Sequence, residues 1–134
     1  MQLVEAYISR IKEINPFVNC VVAECYDKAV EEAKDVDRIL SSPTILEKYS
    51  EKSAPLLGVP FSCKECLWVK DMPNSTGCFA RVNFRAPKDA DVVRHLREAG
   101  AILTCLTNTS EVCMWLESNN YLYGTTKNPY NLSR

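Results

Sequence analysis

GVPFSCKEC, residues 58–66, is the stretch whose reading decides the fold. Val59 to Cys63 is a short, β-prone run that stops abruptly on Lys64, with Glu65 directly behind it. Downstream, Val92, Val93, Leu96 and Ala99 recur at helical spacing, with Asp89 placed to cap the helix and Gly100 to end it. Ala101 to Leu106 then forms a second apolar run, too short for a helix and read as a buried strand. Strand, crossover helix and strand make a βαβ unit, which predicts two parallel strands with the helix packed across them. In open α/β folds the carboxyl edge of such strands carries ligand-handling groups, so Lys64 is the first candidate for chemistry. Alternation along the strand turns Glu65 to the face opposite Lys64, which leaves the amine unpaired by its neighbour. The plainer reading of Lys64 is an exposed residue closing a strand.

Working outward, Leu3, Tyr7, Ile11 and Ile14, with Val4 and Ile8 beside them, predict an amphipathic helix that ends before Asn15 and Pro16. Phe17 to Ala23 fits either a strand or the entry to a second helix. From about Glu24 to Leu40, Tyr26, Val30, Ala33 and Leu40 repeat at helical intervals, with Lys28 and Glu32 as an exposed pair and Ser41-Ser42-Pro43 as the stop. Residues 43–55 read as a polar loop, and Met72 to Gly77 as a turn-rich connection. Asn108 is placed to cap a further helix, with Glu111 completing a capping box and Val112, Trp115 and Leu116 as its apolar face. The fold class expected is α/β: N-terminal helices followed by a βαβ unit of a parallel or mixed sheet.

Composition narrows the function classes. The 134 residues suit one domain, and 16 Lys and Arg against 17 Asp and Glu, without any long run of one sign, point to no nucleic acid and to a small neutral or apolar partner. Seven cysteines form an odd set behind an N-terminus without signal-peptide features, which suggests a reducing, intracellular setting. Asn74, Asn108 and Asn131 each open an N-x-S/T pattern, a short match that arises often by chance. His95, the one histidine, falls beside Asp91 and Glu98 on the solvent side of its helix, which sets aside Ser-His-Asp and Cys-His catalysis. Cys63 and Cys66 bracket the lysine as C-x-x-C, the pattern of a redox pair or half a zinc site, although no second C-x-x-C or histidine pair completes four ligands. Small buried thiols beside a strand are the alternative. Met114 and Trp115 fit either core or pocket.

From Pro55 onward, PLLGVPFSCKECLWVKDMPNSTG, DADVVRHLREAGAILTCLTNTSE and SNNYLYGTTKNPYNLSR resemble the amidase signature hydrolases. The opening VEAYISRIKEINPFVNCVVAECYDKAVEEAKDVDRIL is similar to that family's two N-terminal helices, so nearly the whole chain is covered. NTSEVCMWLESNNYLYG, together with KEC after the strand, resembles the animal fatty-acid amide hydrolases of the second type. The resemblance implies a relay in which a neutral lysine deprotonates a serine in a cis peptide, which in turn deprotonates a nucleophilic serine. By motif position Lys64 is that catalytic lysine, Met114 matches a residue near the acyl channel, and Ser118 and Asn119 match the loop before the serines. It implies a fatty-acid amide substrate, no metal and no cofactor. Residues 1–134 then correspond to the N-terminal part of an amidase domain with an incomplete amidase signature fold. Both serines of the family lie downstream of NPYNLSR, so the 134 residues by themselves are expected to be inactive, and membrane association belongs to the complete protein. The competing expectations are a small redox or zinc module built on Cys63 and Cys66, and a non-catalytic interaction protein.

Overall fold

A computed structural model describes residues 1–43, 49 and 52–134. The loop expected over residues 43–55 falls largely outside the described residues. Helix α1 (Gln2–Val18) leads into strand β1 (Val21–Glu24), helix α2 (Tyr26–Ser41), strand β2 (Pro60–Lys64), helix α3 (Asp91–Glu98) and strand β3 (Ile102–Thr107). Two short strands, β4 (Asn119–Asn120) and β5 (Gly124–Thr125), close a hairpin. The main sheet has the order β1-β3-β2, with β2 parallel and β1 antiparallel to the central β3. The predicted βαβ unit is therefore present, and β1 makes the sheet mixed.

Two apolar clusters lie on either side of β3. On one face Val4, Ile8, Tyr26, Ala29 and Ala33 of the first two helices pack on Ile102 and Cys105. On the other, Val93 of α3 joins Cys63, Val69, Leu103 and Leu106. Burial on both faces explains why β3 reads as an almost unbroken apolar run. The spacing of the inward residues jumps from Leu103 to Leu106 because the ladder slips at Thr104: Phe61 pairs with Leu103 and Ser62 with Cys105. Thr104 is the extra residue of this bulge, and its hydroxyl donates to the Phe61 carbonyl at 3.0 Å.

Three expectations are corrected here. Helix α1 continues through Pro16 to Val18 and ends at Asn19, a left-handed cap with φ 51°. Its buried face is Val4, Ile8 and Val18, while Leu3 and Tyr7 are exposed. Proline removes one amide donor without obliging the helix to stop, and here the last turn is held from below by Asn15, whose Oδ1 accepts the Cys20 and Val21 amides at 2.8 and 2.7 Å. Asp89 lies one residue before the actual cap position, Ala90; its carboxylate instead accepts the Lys70 amide at 2.7 Å and pairs with Arg97 at 3.3 Å. The helix predicted to begin at Asn108 is absent, replaced by a single tight turn at Glu111–Cys113 in which Val112 and Cys113 have φ of 51° and 58°. The Val112 amide donates across to the Thr76 carbonyl at 2.8 Å, a bond that a continuing helix could not offer.

Gly100 ends α3 as expected, and the reason is spatial as well as conformational. Its φ is +92°, and a Cβ built there would meet the Leu57 Cα at 2.7 Å. That close approach lets the Gly58 amide reach the Gly100 carbonyl at 2.9 Å and start the β2–β3 pairing. Gly100→Ala is expected to cost about 2–4 kcal/mol through backbone strain and overpacking, read as a lower urea midpoint with an unchanged m-value.

Candidate functional site

Parallel pairing brings the carboxyl ends of β2 and β3 side by side, with Lys64 opposite Thr107. Beyond that pair the two segments diverge into loops, and the site is built where they part. The Lys64 Nζ donates to the Asn108 carbonyl at 2.6 Å and to the Ser118 Oγ at 2.8 Å. Among the described residues no carboxylate lies within ion-pair distance of this amine. The half-buried Cys20 thiol feels both influences: burial raises its pKa, and the nearby Lys64 charge partly offsets the rise.

Glu65 turns away, as strand alternation requires. It is fully buried, and its carboxylate accepts the Ser75 amide, the Ser75 hydroxyl at 2.8 Å and the Thr76 amide at 2.8 Å. Its backbone carbonyl takes the Asn74 side-chain amide at 2.8 Å. The turn at residues 74–77 is thus folded around one acidic side chain, and that anchoring keeps the carboxylate out of reach of the lysine.

Asn108 is the second organiser. Its side chain is buried; Nδ2 is shared among the Ser118 carbonyl at 3.2 Å, the Gly124 carbonyl at 3.0 Å and Thr126 Oγ1 at 3.1 Å. Its Oδ1 accepts the Thr109 amide at 3.0 Å and Asn120 Nδ2 at 2.8 Å. Asn120 then closes the next turn by accepting the Leu122 and Tyr123 amides. Two of the N-x-S/T asparagines, Asn74 and Asn108, are therefore interior residues whose side-chain amides are already committed.

Sequence reasoning placed Lys64, Met114, Ser118 and Asn119 at the site. Lys64 and Ser118 are in direct contact. Met114 and Asn119, with Glu111, Val112 and Trp115, line a surface cavity of about 480 Å³ beside them. Met114 and Trp115 are 79% and 71% exposed, so neither belongs to a core in these residues. Glu65, Asn108 and Asn120 were not anticipated. The signal available for Asn108 was a run of polar residues, Thr107 to Ser110, at the end of a mostly apolar strand; the same pattern also spells a helix cap, and only the partners distinguish the two.

The C-x-x-C does not form a pair. Cys63 lies in the core on β2, where burial pushes its thiol up to about 11, whereas Cys66 is half-buried beyond the strand end, its thiol raised by burial and then by the neighbouring Cys113. Among the described residues no three His, Cys, Asp or Glu side chains converge as a metal would need. The geometry gives the redox or zinc module on Cys63 and Cys66 no support.

Comparison with known proteins agrees with this layout. The profile of the family described as Amidase matches residues 2–134. The chain is 46% identical over its whole length to fatty-acid amide hydrolase 2-A of Danio rerio, covering 25% of that protein. It is 44% identical over 132 residues, 98% of the chain, to fatty-acid amide hydrolase 2 of Homo sapiens, again covering 25%. Peptide amidase from Stenotrophomonas maltophilia superposes with a TM-score of 0.81 and 31% identity, over 98% of this chain and 27% of that one. The chain thus spans about a quarter of the length of the curated relatives it matches.

Removing the Asn108 amide takes a partner from the part-buried Ser118 and Gly124 carbonyls and from the buried Thr109 and Asn120 amides. Asn108→Ala is expected to cost about 2–4 kcal/mol. Hydrogen exchange should show residues 118–126 losing protection while the β2–β3 ladder keeps its own.

Proposed function

The chain belongs to the Amidase family, and on that premise we propose that it supplies the general-base lysine and one wall of the substrate pocket to a serine amidase acting on fatty-acid amides. The observation carrying the reading is Lys64 Nζ at a strand tip, bonded among the described residues to two neutral oxygens, 2.6 Å from the Asn108 carbonyl and 2.8 Å from the Ser118 hydroxyl. A lysine acts as a base only when it can give up its proton near neutral pH, and among the described residues no carboxylate holds this amine in an ion pair. The Ser118 hydroxyl, 2.8 Å away, holds the amine at the strand tip.

In the relay that the family resemblance implies, neutral Lys64 takes the proton of a serine in a cis peptide. That serine deprotonates the nucleophile, which attacks the amide carbonyl, and the proton returns to the leaving amine. The cavity walled by Met114, Val112 and Trp115 offers apolar surface for an acyl chain, and Asn119 a polar group at its edge. The 46% identity to a fatty-acid amide hydrolase 2 supports the acyl-amide substrate class. Membrane association is a property proposed for the complete protein; among the described residues no helix is long and apolar enough to cross a bilayer.

The test is a hybrid in which these 134 residues replace the matching quarter of the Danio rerio enzyme. It should hydrolyse oleamide, while the 134 residues alone should release no product above buffer. Lys64→Ala in the hybrid is expected to lower kcat/KM by about 10²- to 10⁴-fold, and Lys64→Arg by nearly as much, because a guanidinium keeps its proton. The ascending limb of the pH profile should disappear in both. Full activity in Lys64→Ala would refute the assignment.

A further inference from the structure

Glu65 is a fully buried acidic side chain that the proposed relay does not use. Both of its carboxylate oxygens are occupied: Oε1 accepts the Ser75 amide and hydroxyl, with the Tyr123 hydroxyl at 3.5 Å, and Oε2 accepts the Thr76 amide at 2.8 Å. The turn held by these bonds is not a relaxed one. Thr76 has φ of 53°, a left-handed conformation that is unfavourable for a β-branched residue and persists only where its surroundings impose it. With its amide taken by Glu65, Thr76 presents its carbonyl to the Val112 amide at 2.8 Å, and Val112 is itself β-branched with φ of 51°. Among the described residues this is the one backbone hydrogen bond that ties residues 111–117 to a segment outside 108–120. Gly77 makes a second contact. Ser75 Oγ accepts its amide at 3.1 Å, and it lies so close to Asn120 that a Cβ there would meet the Asn120 side chain at 2.9 Å. Val112 and Asn119, the neighbour of Asn120, both line the cavity, with Met114 and Trp115 between them in sequence.

We propose that Glu65 is a positioning and specificity-determining residue: through the Thr76 peptide it fixes the turn that carries Val112, Met114 and Trp115, and so sets how tightly the cavity holds a long acyl chain. The assignment rests on the amidase reading above, which gives the cavity an acyl chain to hold. Glu65 is not among the residues lining that cavity and acts only through its neighbours. An apolar wall already in place binds a chain without further loss of freedom, whereas a wall free to move must be ordered on binding, at the expense of affinity. A long chain, which covers the wall, feels that difference; a short one leaves the wall bare. The task needs two acceptor oxygens. A glutamine here has one, and with it kept on the Ser75 amide and hydroxyl, its NH2 group would oppose the Thr76 N–H, donor against donor. The Thr76 peptide then loses its hold, and Val112 with it.

The test uses Glu65→Gln, which keeps the size of the side chain. Amide-resolved hydrogen exchange on the full chain should show Thr76 and Val112 exchanging about tenfold faster or more in the variant, with the β2–β3 ladder unchanged. In the hybrid with the Danio rerio enzyme, the ratio of kcat/KM for oleamide to that for butyramide should fall about tenfold, the loss lying in the KM for oleamide. A merely structural role would lower turnover of both amides alike and leave the ratio intact. Unchanged protection of the Val112 amide, or an unchanged ratio in an active hybrid, would overturn the inference. A hybrid that fails on oleamide with Glu65 in place would instead overturn the amidase reading and the acyl role resting on it, and the exchange result alone would still judge the hold of Glu65 on the turn. The unmodified chain decides the matter even where the variant does not fold: its Thr76 and Val112 amides should share one protection factor, and independent opening of Val112 would refute the tie.

Discussion

Asn108 is the residue on which the site depends. Its backbone carbonyl receives the Lys64 amine, while its buried side chain holds the segment that brings Ser118 to the same amine. A neutral amide suits this task because it offers donors and an acceptor at once and adds no charge beside the lysine. A carboxylate here would accept but not donate, and would hold the lysine as a charged partner. Each of these bonds contributes about 1 kcal/mol net, but leaving any member of a buried network unpaired costs more, so the network tends to hold or fail as a unit.

Strand geometry does the complementary work. Successive side chains at the end of β2 point to opposite sides, so Lys64 faces Asn108 and Ser118 while Glu65 is taken into the interior by Ser75 and Thr76. One acidic residue therefore organises the loop after β2 without neutralising the lysine beside it. Parallel pairing with β3 sets the rest of the spacing, since it fixes which residues of the second loop stand opposite those of the first. The same register sets Cys66 and Thr109 each two residues past the paired Lys64 and Thr107.

The parts that could be read in advance are those with a strong local period. The βαβ unit, the stop at Gly100 and the place of Lys64 at a strand tip all follow from apolar runs bounded by turn formers. The family was legible as well, because its motifs are contiguous in the chain. Reading failed where one pattern serves two structures. Leu3 and Tyr7 share a helical period with Val4 and Ile8, and only the position of the sheet decides which stripe is buried. Asn108 followed by Glu111 spells a capping box, yet the asparagine is claimed by Ser118, Gly124 and Asn120, and Thr76 takes the amide of Val112.

By itself the sequence determined the order β2, α3, β3, their parallel pairing and the residue at the strand tip. These rest on side-chain periodicity and on the conformational limits of glycine and proline, which act over a few neighbouring residues. Tertiary structure alone decided the neighbours of Lys64, the burial of Glu65 and the loop in place of a helix after β3. Each of those is a contact between residues distant in the chain, and a buried polar group takes the partner the fold brings to it, because leaving it unpaired costs more than bending the local backbone.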